Sequence, residues 1–132
     1  MILLDTHSAI WFTTDSGLGK RSQAIADEAL AADRLAISAV SFWEISMLVA
    51  KRRLRSVDSA IELREEVLNS GINEIPLTGD IAILAGNLEG LRGDPADRFI
   101  VATAIAYEAT LVTADARLLE WRNKLRRQNA EK

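Results

Sequence analysis

Residues 1–11 read Met-Ile-Leu-Leu-Asp-Thr-His-Ser-Ala-Ile-Trp, and this stretch sets the pattern for the chain. Its first part is short and apolar and is followed at once by an acidic residue, Asp5, which predicts a buried strand that ends at a carboxylate. The residues from Thr6 to Phe12 then favour a helical turn. A strand that runs directly into a helix is the unit from which parallel sheets are built.

The same alternation of strand and helix recurs along the rest of the sequence. Further apolar segments predict strands at residues 35–38, 74–77 and 110–113. Helices are predicted at residues 21–32, 40–53, 58–69, 81–88, 94–108 and 114–123. This order predicts one α/β domain, a sandwich in which a short, mostly parallel sheet is flanked by helices. Residues 1–124 are assigned to this domain, and residues 125–132 to a basic, frayed C-terminal tail.

Four acidic residues occupy positions where burial is expected. Asp5 and Asp115 each follow an apolar strand, and ligands of parallel sheets bind beyond the carboxyl ends of the strands. Glu44 and Asp97 each share a predicted helix face with apolar residues. Clustered carboxylates in apolar surroundings are costly unless they are compensated, and the usual compensation is a hard divalent cation. The four acids therefore predict a Mg²⁺ or Mn²⁺ site and chemistry on phosphate.

Ordinary structural roles explain part of this set. Asp97 would also suit the first turn of a helix, and Asp115 would suit a helix N-cap, because acidic residues are favoured at both positions. Asp5 after a buried strand, and above all Glu44 between apolar neighbours, are harder to explain in this way. The only histidine, His7, is interpreted as a polar residue near the site, more in keeping with positioning than with catalysis or metal binding.

Composition sets further limits. The 132 residues suffice for one domain with its own core, and the absence of cysteine excludes disulfides, thiolate nucleophiles and zinc–thiolate sites. We see no secretory signal and no apolar run long enough to cross a bilayer, so a cytoplasmic protein is expected. The net charge of −3 would become +1 if metal neutralised the four acids. Two basic clusters, residues 51–55 and 117–132, fit either solvated chain segments or the rim of a site for a polyanion.

Two other enzyme classes are disfavoured. A phosphatase or phosphotransferase with an aspartyl nucleophile would typically carry a second acid two residues after the first, where this chain has His7. The segment from Gly17 to Arg21 is only faintly similar to a nucleotide-binding loop. Arg21 stands where a serine or threonine would bind the metal, and Thr14 stands where the first glycine belongs.

The motifs around the four acids together resemble the PIN-domain nucleases, and most closely the VapC-type toxins of type II toxin–antitoxin systems. The matching segments are residues 2–11 with Asp5, 38–45 with Glu44, 93–104 with Asp97, and 111–118 with Asp115. The third acid of the family is placed at Asp97 rather than at Asp94. The resemblance extends from Met1 to about Leu119.

This resemblance implies a PIN-like three-layer sandwich and a Mg²⁺- or Mn²⁺-dependent endoribonuclease that acts as the toxin of a toxin–antitoxin pair. It makes Asp5 and Asp97 the first choice as metal ligands, with Glu44 and Asp115 completing the catalytic set directly or through water. The accessory residues that it suggests are Thr6, Thr113 and Asp94. It further implies an RNA substrate, a cognate antitoxin and a homodimer, and no membrane partner. The alternative is a catalytically silent PIN-like module for RNA binding or assembly.

Large aromatic side chains are concentrated on the two helices nearest the predicted site, at Trp11, Phe12, Phe42 and Trp43. Core packing explains some of them, and Phe42 above all. We expect others to line a groove for an amphipathic antitoxin segment, with a cationic side chain of the partner reaching the carboxylates.

Overall fold

A computed structural model describes all residues from Met1 to Lys132, and a single parallel sheet forms its centre. The strands are β1 (Ile2–Leu4), β2 (Leu35–Ser38), β3 (Asn73–Ile75), β4 (Thr110–Thr113) and β5 (Arg126–Asn129). Their order in the sheet is β3-β2-β1-β4-β5, and every neighbouring pair is parallel. The chain thus builds outward from β1 to one side and then to the other. This reversal leaves a crevice at the carboxyl ends of β1 and β4, where ligands of such sheets bind.

Seven helices connect and cover the strands. They are α1 (Thr6–Thr13), α2 (Lys20–Ala31), α3 (Ala39–Ala50), α4 (Ala60–Asn69), α5 (Gly79–Gly86), α6 (Pro95–Ala106) and α7 (Ala116–Glu120). All except α2 begin after a residue whose side chain accepts a hydrogen bond from a backbone N–H of the first turn. None of these helices has both the length and the apolarity that crossing a bilayer demands.

The alternation of side chains along the strands divides the core into two layers. On β1, Leu3 belongs to a cluster that also holds Ile100 of α6, together with buried residues of α5. The adjacent Leu4 belongs to a second cluster with Ile10 of α1 and Leu63 of α4. Because successive residues of a strand point to opposite faces, helices are required on both sides of the sheet. The predicted three-layer α/β sandwich is confirmed.

The predicted frayed tail at residues 125–132 is wrong. Arg126–Asn129 forms the edge strand β5, and Ala130 is fully buried. The backbone N–H groups of Gly19 and Arg21 donate to the carbonyls of Ala130 and Lys132, each at 2.8 Å. An edge strand is held largely by its backbone ladder, so the polar sequence Arg-Arg-Gln-Asn forms one without the apolar pattern on which the prediction relied.

Two helix ends also differ from the prediction. Helix α3 ends at Ala50, so the basic cluster at residues 51–55 follows the helix instead of forming its last turn. Helix α7 covers only Ala116–Glu120, because the chain turns at Trp121 into the loop that leads to β5.

Candidate active site

The four predicted acids meet at the carboxyl edge of the sheet, where they line one cavity of about 330 Å³. The residues that line it are Asp5, Thr6, His7, Trp11, Glu44, Asp94, Asp97, Ala114, Asp115 and Arg117. Two of the suggested accessory residues, Thr6 and Asp94, therefore reach the cavity. The third, Thr113, lies behind it, where its hydroxyl accepts a hydrogen bond from the backbone N–H of Asp115 at 3.1 Å.

Asp5 is positioned by the strand before it and by the helix after it. Its backbone N–H donates to the carbonyl of Val112 at 3.1 Å, which extends the contact between β1 and β4 by one residue. Its Oδ1 accepts the N–H of Ser8 at 3.0 Å and so caps α1. The carboxyl group is thereby held at the point where the two central strands end, and only 8% of the residue remains exposed.

Glu44 reaches the cavity from α3 and is held by a residue of α1. The Thr6 hydroxyl donates a hydrogen bond to Oε1 of Glu44 and lies 3.0 Å from the Ser41 hydroxyl. Burial raises the pKa of Glu44, and the nearby Asp94 and Asp5 act in the same direction, although the hydrogen bond from Thr6 opposes them. Ser41 was not among the site residues predicted from the sequence, and it lies one helical turn before Glu44.

Asp97 lies in the first turn of α6 with 17% of its side chain exposed. Burial raises the pKa of Asp97 to about 7, and the charges of Asp115 and Glu44 contribute to the same shift. The carboxylates therefore repel one another in a partly desolvated space, which is the electrostatic signature of a site for a cation or a proton.

Asp115 both caps a helix and lines the cavity. It is the N-cap of α7, where its Oδ1 accepts the backbone N–H of Arg117 at 2.9 Å. Hydrogen bonding by the Arg117 side chain lowers the pKa of Asp115. The N-cap role that the sequence suggested for Asp115 is thus present together with its place in the cavity.

Arg117 is the site residue that the sequence analysis missed, because it was grouped with the basic C-terminal cluster. Its Nη2 donates to Oδ2 of Asp97 at 3.0 Å and to Oδ2 of Asp115 at 2.8 Å. The signal that could have identified Arg117 is its position two residues after an N-cap aspartate, where a long side chain can reach back to the carboxylate.

In their observed positions, no three acidic or histidine side chains form a group that could hold one metal ion. The guanidinium of Arg117 lies between two of the carboxylates instead. Every potential ligand that lines the cavity offers oxygen except His7, which is exposed on its rim with its ring centroid 6.4 Å from that of Trp11.

The aromatic residues divide between core and surface. Phe12 and Phe42 are partly buried against the second core cluster, in agreement with the core assignment of Phe42. Trp11 also packs there and lines the cavity. Trp43 on α3 is 51% exposed, and Met47 one turn later is 36% exposed. An apolar surface is therefore present near the site, on the outer side of α3.

Comparisons with known proteins agree on one family. A model of the PIN domain matches residues 2–124. Ribonuclease VapC22 of Mycobacterium tuberculosis is 33% identical over 124 residues, which cover 92% of each chain.

Solved structures share the fold. VapBC2 from Rickettsia felis, bound to a DNA fragment from its promoter, matches with a TM-score of 0.67 and 23% identity over 98% of each chain. DNA-bound VapBC from Salmonella typhimurium matches with a TM-score of 0.72 and 16% identity over 96% of each chain. With its parallel sheet, its acidic cavity at the carboxyl edge and a family match over nearly its whole length, the chain belongs to the PIN-domain family.

Proposed function

We propose that this protein is a metal-dependent endoribonuclease that hydrolyses RNA phosphodiester bonds and acts as the toxin of a toxin–antitoxin pair. The observation that carries the proposal is the single cavity in which Asp5, Glu44, Asp97 and Asp115 meet. The relative that is 33% identical over 92% of both chains is a ribonuclease. The proposal transfers that activity to this chain.

The donor set supports a hard divalent cation. Carboxylate oxygens are the ligands that Mg²⁺ and Mn²⁺ prefer, and Mg²⁺ keeps several waters while it is held by only one or two carboxylates. A loose cluster suits such an ion even though no three side chains enclose one. Asp5 and Asp97 would hold it directly, and Glu44 and Asp115 would do so directly or through water.

The protein's own groups would prepare the reaction in the following way. A bound Mg²⁺ or Mn²⁺ would supply a Lewis acid for the phosphate and lower the pKa of an attacking water. Thr6 fixes the orientation of the Glu44 carboxylate. The N–H of Ser8 and the strand ladder fix Asp5. These contacts hold the carboxylates in place before the substrate arrives, so little reorganisation is needed during the reaction.

A cleavage assay tests this function. Purified protein is incubated with labelled RNA in Mg²⁺, in Mn²⁺ and in EDTA, and we expect cleavage only with metal. Asp97→Asn should reduce the rate by at least roughly 100-fold, because even residues that merely orient metal ligands cost 10–100-fold when they are changed. Asp27→Asn, on the exposed side of α2, is the matched control and should keep full activity.

Two outcomes would contradict the proposal. Full cleavage by Asp97→Asn at saturating Mg²⁺ would remove Asp97 from the catalytic set. Metal-independent RNA binding without any cleavage would favour the alternative, a silent module for RNA binding or assembly.

The toxin role is supported by other observations than the nuclease activity, and a different experiment tests it. The two solved structures described above are VapBC complexes. Trp43 and Met47 offer an exposed apolar strip on α3 for an amphipathic antitoxin segment. Expression of the protein alone should slow growth, and co-expression with its cognate antitoxin should restore it. We also propose a homodimer, as the family resemblance implies, which light scattering of the purified chain tests.

A further inference from the structure

Arg117 is tied to the acids of the site more closely than any other cation. Of the three salt bridges in the protein, two join Arg117 to Asp97 and to Asp115. Its Nε adds a hydrogen bond to Oδ1 of Asp115 at 3.2 Å. One guanidinium thus neutralises part of the charge on two carboxylates that would otherwise repel each other.

The loop before α6 is shaped to receive this guanidinium. Nη1 of Arg117 donates to the carbonyl of Arg92 at 3.3 Å. At Gly93, which has φ +125°, a Cβ would overlap the guanidinium. The position of Arg117 over the carboxylates is therefore supported by backbone on one side and by carboxylate oxygens on the other.

The same side chain can leave without disturbing the core. Its side chain is 52% exposed. It also borders a second cavity of about 590 Å³, next to the acidic one, whose wall includes Arg92 and Arg122. Moving from one cavity to the other requires rotation of a long surface side chain and no change in the backbone.

We propose that Arg117 is a built-in competitor of the divalent cation, which occupies the carboxylates of Asp97 and Asp115 until a metal ion displaces it. This inference rests on the proposed metal-dependent nuclease function. The Arg117 guanidinium occupies Oδ2 of both carboxylates, and its positive charge repels a divalent cation at their remaining oxygens. Metal binding at Asp97 and Asp115 therefore displaces the guanidinium and breaks both salt bridges. The affinity for metal is then lower than the carboxylates alone would give.

Calorimetric titration of Mn²⁺ into the EDTA-treated full chain tests the inference. Arg117→Met removes the charge but keeps most of the length, and Arg117→Gln is a second variant in case one packs poorly. Both should bind Mn²⁺ roughly three- to thirtyfold more tightly than the wild type, since two partly exposed salt bridges no longer oppose binding. Arg122→Met removes a cation from the same wall that has no carboxylate partner, and it should leave the affinity close to that of the wild type.

The outcomes separate this inference from the function on which it rests. Equal or weaker Mn²⁺ binding by both Arg117 variants, with metal-dependent cleavage intact in the wild type, overturns the competitor role alone. An equal gain in Arg122→Met also overturns it, because a general loss of positive charge would then explain the effect. Absence of Mn²⁺ binding in every protein overturns the metal site and the competitor role together.

Discussion

Among single residues, Asp97 holds a charge that the folded state disfavours. Burial, with help from Asp115 and Glu44, raises its pKa from 3.8 to about 7. Below about pH 4 the carboxyl is protonated in both the folded and the unfolded chain, so it has no effect on stability. Between about pH 4 and 7 the unfolded chain ionises first, and the folded state loses stability progressively. Above about pH 7 the whole penalty is present.

Asp97→Asn should therefore stabilise the metal-free protein at pH 8. The gain in the free energy of unfolding should reach up to about 4 kcal/mol, and it should shrink towards zero as the pH falls to about 4. Asparagine keeps the size of the side chain and an oxygen that can accept from Arg117. Urea unfolding in EDTA across this pH range measures the effect. A variant that is less stable than the wild type at pH 8 would show that Arg117 already compensates the charge in full.

Gly93 has an unusual backbone conformation and lies against Arg117 of the site. Its φ of +125° lies outside the range that side chains tolerate, and a Cβ would press on the Arg117 guanidinium. Gly93→Ala should lower the free energy of unfolding by about 1–3 kcal/mol. Gly86→Ala, at the end of α5 with open space around its Cβ, is the control and should be neutral or stabilising. Equal stability of both variants in chemical denaturation would contradict this reasoning.

Among the elements, α5 and the loop after it depend on one arginine of α6. The Arg98 guanidinium donates to the carbonyls of Ala85 (2.8 Å), Leu88 (2.8 Å) and Leu91 (2.6 Å). These are the carbonyls that the end of a helix and the loop after it leave without backbone partners. Arg98 thus attaches the loop before α6 to the helix that carries Asp97.

Arg98→Met should lower the free energy of unfolding by about 2–4 kcal/mol, because hydrogen bonds from a charged donor to partly buried carbonyls are lost. The control is Arg64→Met, which breaks an exposed ion pair with Glu74 and should have a much smaller effect. Thermal and urea unfolding compare the two. If Arg98→Met and Arg64→Met lower the free energy of unfolding equally, water satisfies the carbonyls near Arg98 and the Arg98 guanidinium is not needed there.

The elements also show which parts of the fold a sequence reveals. The strands β1, β2 and β4 are apolar because both faces are buried, and their positions follow directly from composition. The edge strand β5 is polar, and its pairing with β4 depends on backbone groups that leave no trace in the side-chain pattern. Arg117 was missed because it was grouped with the basic cluster at residues 117–132, although its position two residues after Asp115 allows its side chain to fold back onto that carboxylate.

At the scale of the whole molecule, the site exists only when distant parts of the chain have assembled. Asp5 and Asp115 follow adjacent strands, while Glu44 and Asp97 come from α3 and α6, which contact each other. Sequence reasoning found these four residues because each breaks an apolar pattern locally. Their convergence follows from the parallel sheet, which brings strand ends to one edge. The cavity should therefore form with the global folding transition and not before it.

The C-terminal segment packs onto the second core cluster through Ala130, and Gly19 lies against this segment. Its φ is ordinary, but a Cβ there would overlap the backbone carbonyls of Glu131 and Lys132, which have no flexible side-chain end that could yield. Gly19→Ala should push the segment away and break the hydrogen bonds that Gly19 and Arg21 donate to it. Two such bonds correspond to about 1–3 kcal/mol of unfolding free energy.

Hydrogen exchange measures which backbone amides lose protection in Gly19→Ala. In Gly19→Ala the amides of Arg126–Asn129 should exchange faster, since β5 is an edge strand held on one side only, by β4. Gly79→Ala, whose Cβ would meet nothing, is the control and should leave both the stability and this exchange unchanged. Protection of β5 that is equal in the two variants would mean that the ladder to β4 alone holds the segment. In that case β5 would pair with β4 without help from α2. The contacts between the C-terminal segment and the start of α2 would then be a consequence of that pairing.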